Sequence, residues 1–278
     1  MKIPYFHVDA FTRRVFAGNP AGVCLLGSWP EDSLLQSIAA ENNLPETAFV
    51  VADGPAFALR WFTPRLEIDL CGHATLAAAF VLYLTGRAAG GPIRFTSRSG
   101  SLTVAKREDL LLMDFPARPA VPCPAPADLL HGLGAVPREV YKARDYLAVF
   151  AREEEVTALV PDFAALARLD CLGIIATAPG REVDFVSRFF APGAGIPEDP
   201  VTGSSHCTLI PYWAGHTGKE RLAARQLSPR GGELSCENKG ERVLIGGHAV
   251  LYQTSTLDLE TAAPQSSTAF RLPPPFFP

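Results

Sequence analysis

The sequence predicts a duplicated α+β fold in which each half curls a mostly antiparallel sheet around one buried helix. Three observations carry this. Two long apolar segments, ATLAAAFVLYL (74–84) and SHCTLIPYWAG (205–215), have almost no polar face, so each must be covered on nearly all sides. Both are entered through the same order of parts: Trp61-Phe62-Thr63-Pro64, Asp69 and Cys71-Gly72-His73 in the first half, then Phe189-Phe190-Ala191-Pro192, Asp199 and Thr202-Gly203-Ser204 in the second. Short strand-like runs flank both, and a curled sheet is the natural cover for a helix that is apolar all round.

The elements follow in order. YFHVDAF (5–11) and AGVCLL (21–26) read as strands, SLLQSIAAE (33–41) as an amphipathic helix and TAFVV (47–51) as a strand. After the first buried helix, Ser97-Arg98-Ser99-Gly100-Ser101-Leu102 leads toward the strand LLLMDF (110–115). The stretch FPARPAVPCPAP (115–126) reads as a linker, because each proline lacks a donor and cannot continue a helix or a central strand. The second half repeats the order with EVYKA (139–143), DYLAVFA (145–151), an amphipathic helix at DFAALARL (162–169) and a strand at LGIIATA (172–178). Ser228-Pro229-Arg230-Gly231-Gly232-Glu233-Leu234 then precedes the strand RVLIGG (242–247). The expected units are 1–117, with Glu46 and the first buried helix, and 127–260, with the second, its C-terminal segment free to return to the first unit. Residues 261–278 lie outside the repeat and are expected to form a surface extension.

Bulk properties bound the function. With 278 residues, 47% hydrophobic and 19% charged, the chain can bury a large core without a staple. The net charge of −4 and the absence of any basic block longer than Arg13-Arg14 or Lys106-Arg107 argue against nucleic acid as a partner. No run approaches the roughly 18 apolar residues of a membrane span, and the N-terminus lacks an apolar leader core, so a cytoplasmic location is expected. Six scattered cysteines, with no C-x-x-C pair, point to neither disulfides nor zinc. His7, His131, His216 and His248 have no companions at metal spacing, and His206 on the second helix reads as a core residue, so no metal is expected.

AGNPAGV (17–23), ETAFV (46–50), WFTP followed by EIDLCGHATLA (67–77), EDPVTGSSH (198–206) and SPRGG (228–232) resemble, in order, the signature segments of the phenazine-biosynthesis, PhzF-like family. The resemblance covers roughly residues 3–257. It implies the diaminopimelate epimerase-like architecture of two hot-dog-like halves, often dimeric, without metal or organic cofactor. It also implies an isomerase with Glu46 as acid and base, supported by His73, Asp199 and Ser204. The family's named member isomerises dihydro-3-hydroxyanthranilate, but many relatives have no known substrate, so the reaction class carries over and the substrate does not. Two departures matter. The related epimerases use a cysteine before each helix-start glycine, and here the second place holds Thr202 opposite Cys71, which excludes a two-thiol mechanism. Pro45 stands where the family pattern has serine.

The residues also support a reading of their own. Two helix starts, at Gly72-His73 and Gly203-Ser204, would aim unpaired N–H groups at one cleft and bind a carboxylate, glycine allowing close approach. Taken singly, Ser204 and Asp199 read equally well as helix caps; the paired occurrence favours a ligand. Counting back 16 residues from Phe62 and from Phe190 sets Glu46 against Ile174, an acid facing an aliphatic residue, as a single-base mechanism would leave. The apolar neighbourhood of Glu46 is suited to raising its pKa toward the working pH. Glu46 would then take a carbon-bound proton from a small carboxylate-bearing substrate and return it elsewhere, with His73 and Asp199 handling charge on heteroatoms. Arg60 and Arg188, beside the two landmarks, fit either substrate or strand neighbours. The competing readings are a non-catalytic binding module of the same fold, and a thioesterase with a strand-wrapped helix, which would not carry the GHAT and DPVTGS pair.

Overall fold

The computed structural model describes residues 1–88 and 90–259; the expected extension at 261–278 lies outside them. The first half runs β1 (Lys2–Ala10), β2 (Asn19–Leu26), α1 (Asp32–Asn42), β3 (Glu46–Asp53), β4 (Ala56–Phe62), β5 (Glu67–Ile68), α2 (Gly72–Leu84), β6 (Ile93–Ser97), β7 (Gly100–Arg107) and β8 (Leu110–Pro116). The chain continues through β9 (Val121–Pro122), α3 (Ala127–Leu133), β10 (Glu139–Lys142), β11 (Tyr146–Val149), α4 (Glu153–Thr157), α5 (Phe163–Leu166), β12 (Ile174–Pro179) and β13 (Phe185–Phe190). A 3-10 turn at Gly203–Ser205 then leads into α6 (His206–Thr217), β14 (Arg221–Gln226), β15 (Gly232–Asn238), β16 (Arg242–Gly247) and β17 (Ala249–Asp258).

The α+β, sheet-dominated class is the predicted one, and the pairing pattern is duplicated. In the first half β2 and β3 are parallel, β3 and β4 antiparallel, β4 and β6 parallel, and β6, β7 and β8 antiparallel. In the second half β11 and β12 are parallel, β12 and β13 antiparallel, β13 and β14 parallel, and β14, β15 and β16 antiparallel. The halves are sewn together where β8 pairs with β16 and where β17 pairs with β1 from Lys2 to Ala10. The proline-rich stretch is more than a linker. Val121 and Pro122 pair with Lys142 and Tyr141 as a short edge strand, where a proline's missing N–H costs the ladder little.

One registration differs from the sequence count. Phe62 faces Thr47 across the first hairpin, whereas Phe190 faces Ile174 across the second. The second hairpin is therefore one residue longer, and the counterpart of Glu46 is Gly173 rather than Ile174. A Cβ at Gly173 would stand 2.2 Å from the Phe189 ring, so the mirror position is filled by an aromatic side chain.

Both central helices lie in one hydrophobic core, α2 through Ala74, Leu76, Val81 and Leu82 and α6 through Leu209, Ile210 and Trp213. Separate clusters cover the outer sheet faces: α1 in the first half, and α3, α4 and α5 in the second. The helix expected over 162–169 shrinks to the single turn of α5; Asp162 caps its start through the Ala164 and Ala165 N–H groups, and its last amides tighten to i−3 bonds.

Arg60 and Arg188 prove to be strand neighbours' partners, repeated in both halves. Arg60 grips Glu67 through Nε and Nη2 and lies over the Phe62 ring; Arg188 grips Glu198 in the same two-point way and lies over Phe190. Both partners of the second pair are largely buried. Replacing Arg188 by alanine leaves Glu198 without its fork, and the unfolding free energy should fall by about 3 kcal/mol. Urea denaturation checks this, and a loss below about 0.5 kcal/mol would show the pair to be solvent-screened.

Candidate active site

The starts of α2 and of the turn before α6 meet. A methyl group built on Gly72 would lie 3.6 Å from the Gly203 Cα, and one on Gly203 3.7 Å from the Gly72 Cα. Both are ordinary van der Waals distances, so neither packing nor backbone conformation demands glycine here. What the two glycines leave is room beside the backbone. The residues before them, Cys71 and Thr202, are extended, and no side chain caps either start among the described residues. The first N–H groups of both helices thus lack the partners that a cap would provide. Ser204 and Asp199, which read equally well as caps, have other partners: Ser204 Oγ accepts from Arg144 Nη2, and Asp199 accepts from Asn19 and Thr202.

The other predicted residues gather at this junction. Glu46, at the first position of β3, is 6% exposed, and His73, in the first turn of α2, is 5% exposed. His73 Nε2 lies 3.0 Å from Glu46 Oε2, out of line for a hydrogen bond, so that oxygen is buried without a hydrogen-bond partner among the described residues. His73 Nδ1 is 3.5 Å from Cys71 Sγ and 3.2 Å from Asn19 Nδ2. The Asn19 amide crosses to the other half, donating to Asp199 Oδ1 at 2.8 Å and to the Val201 carbonyl at 2.9 Å. Gln226, fully buried on β14, accepts from the Thr202 N–H and donates to the Asp199 carbonyl, fixing the loop before the second helix start.

Arg230 ties the same assembly from outside. It donates to the buried Asp9 carboxylate and to the Gly18 and Ala17 carbonyls, while the Gly18 N–H donates to the Gly231 carbonyl. The loop that delivers Asn19 is thereby clamped to the loop after β14. Gly18 is required there: its φ is +66°, and a Cβ would lie 2.1 Å from the Ala10 carbonyl oxygen.

The electrostatics set the protonation states. Burial disfavours charge on His73, yet its hydrogen bond to Cys71 Sγ and the Glu46 carboxylate outweigh it and hold the imidazole above its ordinary value. Burial, with the Glu46 charge, pushes the Cys71 thiol up to about 11, so it stays protonated at neutral pH. Asp199 is pushed up to about 6 by burial, against the pull of His73, Thr202 and Asn19. His206 is buried and lowered to about 4, a neutral core residue bonded through Nδ1 to the Thr202 carbonyl. Glu46, Cys71 and His73 offer ligand atoms within 4.8 Å of one another and could together hold a cation; sequence spacing did not show this because Glu46 comes from a different strand.

Residues 8–255 match the family described as phenazine biosynthesis-like protein. The chain belongs to that family. It is 52% identical over 259 residues to an uncharacterized isomerase of Pseudomonas aeruginosa, covering 93% of this chain and all of the relative. A crystal structure of a PhzF-family phenazine biosynthesis protein from Enterococcus faecalis superposes with a TM-score of 0.91 at 49% identity, over 93% of this chain and all of that one. A predicted epimerase from Pseudomonas aeruginosa shares the fold alone, with a TM-score of 0.73 at 21% identity over 94% of this chain and all of that one. Sequence reasoning did not assign Asn19, Gln226, Arg144 or Arg230. Asn19 and Arg230 lie inside the segments AGNPAGV and SPRGG, which carry the family resemblance.

A raised Asp199 has a definite sign for stability. Between about pH 4, where an unfolded aspartate ionises, and about 6, where Asp199 ionises in the fold, the unfolded chain has released the proton and the folded chain still holds it. Stability from this group therefore falls as pH rises through that window and is level above it. Asp199→Asn should remove this segment, so thermal melting of the variant should gain on the wild type between pH 4.5 and 7. Parallel melting curves across that range would show that Asp199 is not raised.

Proposed function

We propose that the protein is an isomerase that moves a proton within a small carboxylate-bearing substrate, using Glu46 as the one acid and base. The observation that carries this reading is a buried carboxylate oxygen of Glu46 with no hydrogen-bond partner among the described residues, beside paired glycine helix starts, opposite a mirror position occupied by Gly173 and the Phe189 ring. The substrate carboxylate would sit between the helix starts, receiving N–H groups from Gly72-His73 and Gly203-Ser204. Glu46 would remove a proton from carbon beside an unsaturated or carbonyl group and return it at another carbon on the same face. Atoms and electrons balance without a redox partner, since the proton lost at one carbon is regained at the other. His73, whose pKa is raised beside Glu46, would in its protonated form stabilise negative charge developing on a substrate oxygen. Asp199 would orient the site through Asn19 and Thr202.

The neutral Cys71 thiol supports the single-base reading, because a second base at that position would have to ionise against burial and the Glu46 charge. The test is solvent deuterium incorporation into a panel of small unsaturated and keto carboxylic acids, read by mass spectrometry. Glu46→Gln, nearly isosteric, should cut incorporation about a thousandfold with the fold intact, while Cys71→Ser keeps substantial activity. Full incorporation by Glu46→Gln would remove the glutamate from its role; loss in Cys71→Ser with an intact fold would give the proton to the thiol instead.

A further inference from the structure

Two arginines approach the start of α6, one at Ser204 in the turn before it and one at Cys207 within it. Arg144, between β10 and β11, grips the wholly buried Asp145 through Nε and Nη2, at 2.7 Å for the shortest bond, and donates from Nη2 to Ser204 Oγ at 3.2 Å. These bonds occupy Nε and Nη2; Nη1 has no partner among the described residues. Arg118 arrives from the proline-rich stretch. Pro211 has no N–H to give the Cys207 carbonyl four residues earlier in α6, and the Arg118 N–H takes that carbonyl at 2.8 Å. The bond seats the Arg118 backbone against α6, and its Nη1 is buried without a hydrogen-bond partner among the described residues. Both guanidinium groups act on the Cys207 thiol, which burial pushes up to about 11 and which these two charges pull back.

A buried guanidinium donor without a partner is costly, and a fork held rigid by a buried carboxylate is preorganised for an oxyanion. Arg118 and Arg144, against the single Asp145, act on Cys207 in the turn that follows Ser204. Ser204 Oγ accepts from Arg144, which frees its own hydrogen for a ligand. We infer that Arg144 and Arg118 form a second anion subsite next to Ser204, so that the substrate bears a further oxyanion group besides the carboxylate at the helix starts. The ligand class is a dicarboxylate or a carboxylate bearing a phosphate. The inference rests on the reading of the helix starts as a carboxylate cradle.

Calorimetric titration of the full chain with acetate, succinate and phosphoglycolate tests it. Succinate or phosphoglycolate should bind at least about tenfold more tightly than acetate, and the better of the two identifies the second group as carboxylate or phosphate. Arg144→Gln should erase that advantage while acetate affinity stays within about threefold. Because this change strips Asp145 of its partner, Arg144→Gln combined with Asp145→Asn serves if the single variant does not fold, and Arg118→Gln leaves the pair intact and should also reduce the preference. Equal affinity for all three acids, or a preference that survives both arginine variants, overturns the subsite. The cradle fails separately: if Gly203→Ala leaves acetate binding unchanged while the arginine-dependent preference persists, the error lies in the helix-start reading and not in the subsite.

Discussion

A helix with apolar residues on every face can meet polar chemistry only at its end. From Ala74 to Ala79, and again at Val81 and Leu82, α2 is wholly buried, so the sheet must wrap it on all sides. Its N-terminus is the one part with backbone donors to offer. The same constraint acts on α6, whose buried run from His206 to Ile210 begins at the opposite start. Joining two such units along β8 with β16 and β1 with β17 brings the two ends together, and the site arises there.

Duplication supplies symmetry that the chemistry then breaks. Both halves contribute a glycine, a preceding extended residue and a two-point Arg–Glu pair behind the landmark phenylalanine. They differ in their titratable groups. Glu46 has Gly173 as its counterpart, Cys71 has Thr202 and His73 has Ser204. The first half thus carries the titrating groups next to Glu46, and the second carries hydroxyls and, through Arg144, positive charge. On the proposed reading, one wall would handle the proton and the other would hold the substrate.

Much of this was legible in the sequence because it is periodic or local. The all-apolar helices, the repeated order of landmarks and the glycine starts are properties of short segments, and the elements formed where those segments lie. What was not legible depended on partners far apart in the chain. The one-residue difference between the two hairpins moved the Glu46 counterpart from Ile174 to Gly173, and no count from a landmark can detect a change in loop length. Arg144 sits 60 residues from Ser204 in a turn without a motif, and Arg230 reaches 221 residues back to Asp9. Arg60 and Arg188 were ambiguous for the same reason: a guanidinium's partner is a matter of register.

The buried amide of Asn19 makes the two walls electrically dependent on each other. Its Nδ2 carries two hydrogens and lies within bonding distance of three acceptors, His73 Nδ1, Asp199 Oδ1 and the Val201 carbonyl. One of the three is always left without a hydrogen. When Asp199 is ionised it competes strongly for that donor, and His73 Nδ1 is free to carry its own proton toward Cys71 Sγ. When Asp199 is protonated its claim weakens, and the amide is shared more evenly with the Val201 carbonyl. Charge on Asp199 and protonation of His73 therefore belong to one coupled system rather than to two residues, and His73 Nε2 lies 3.0 Å from Glu46 Oε2.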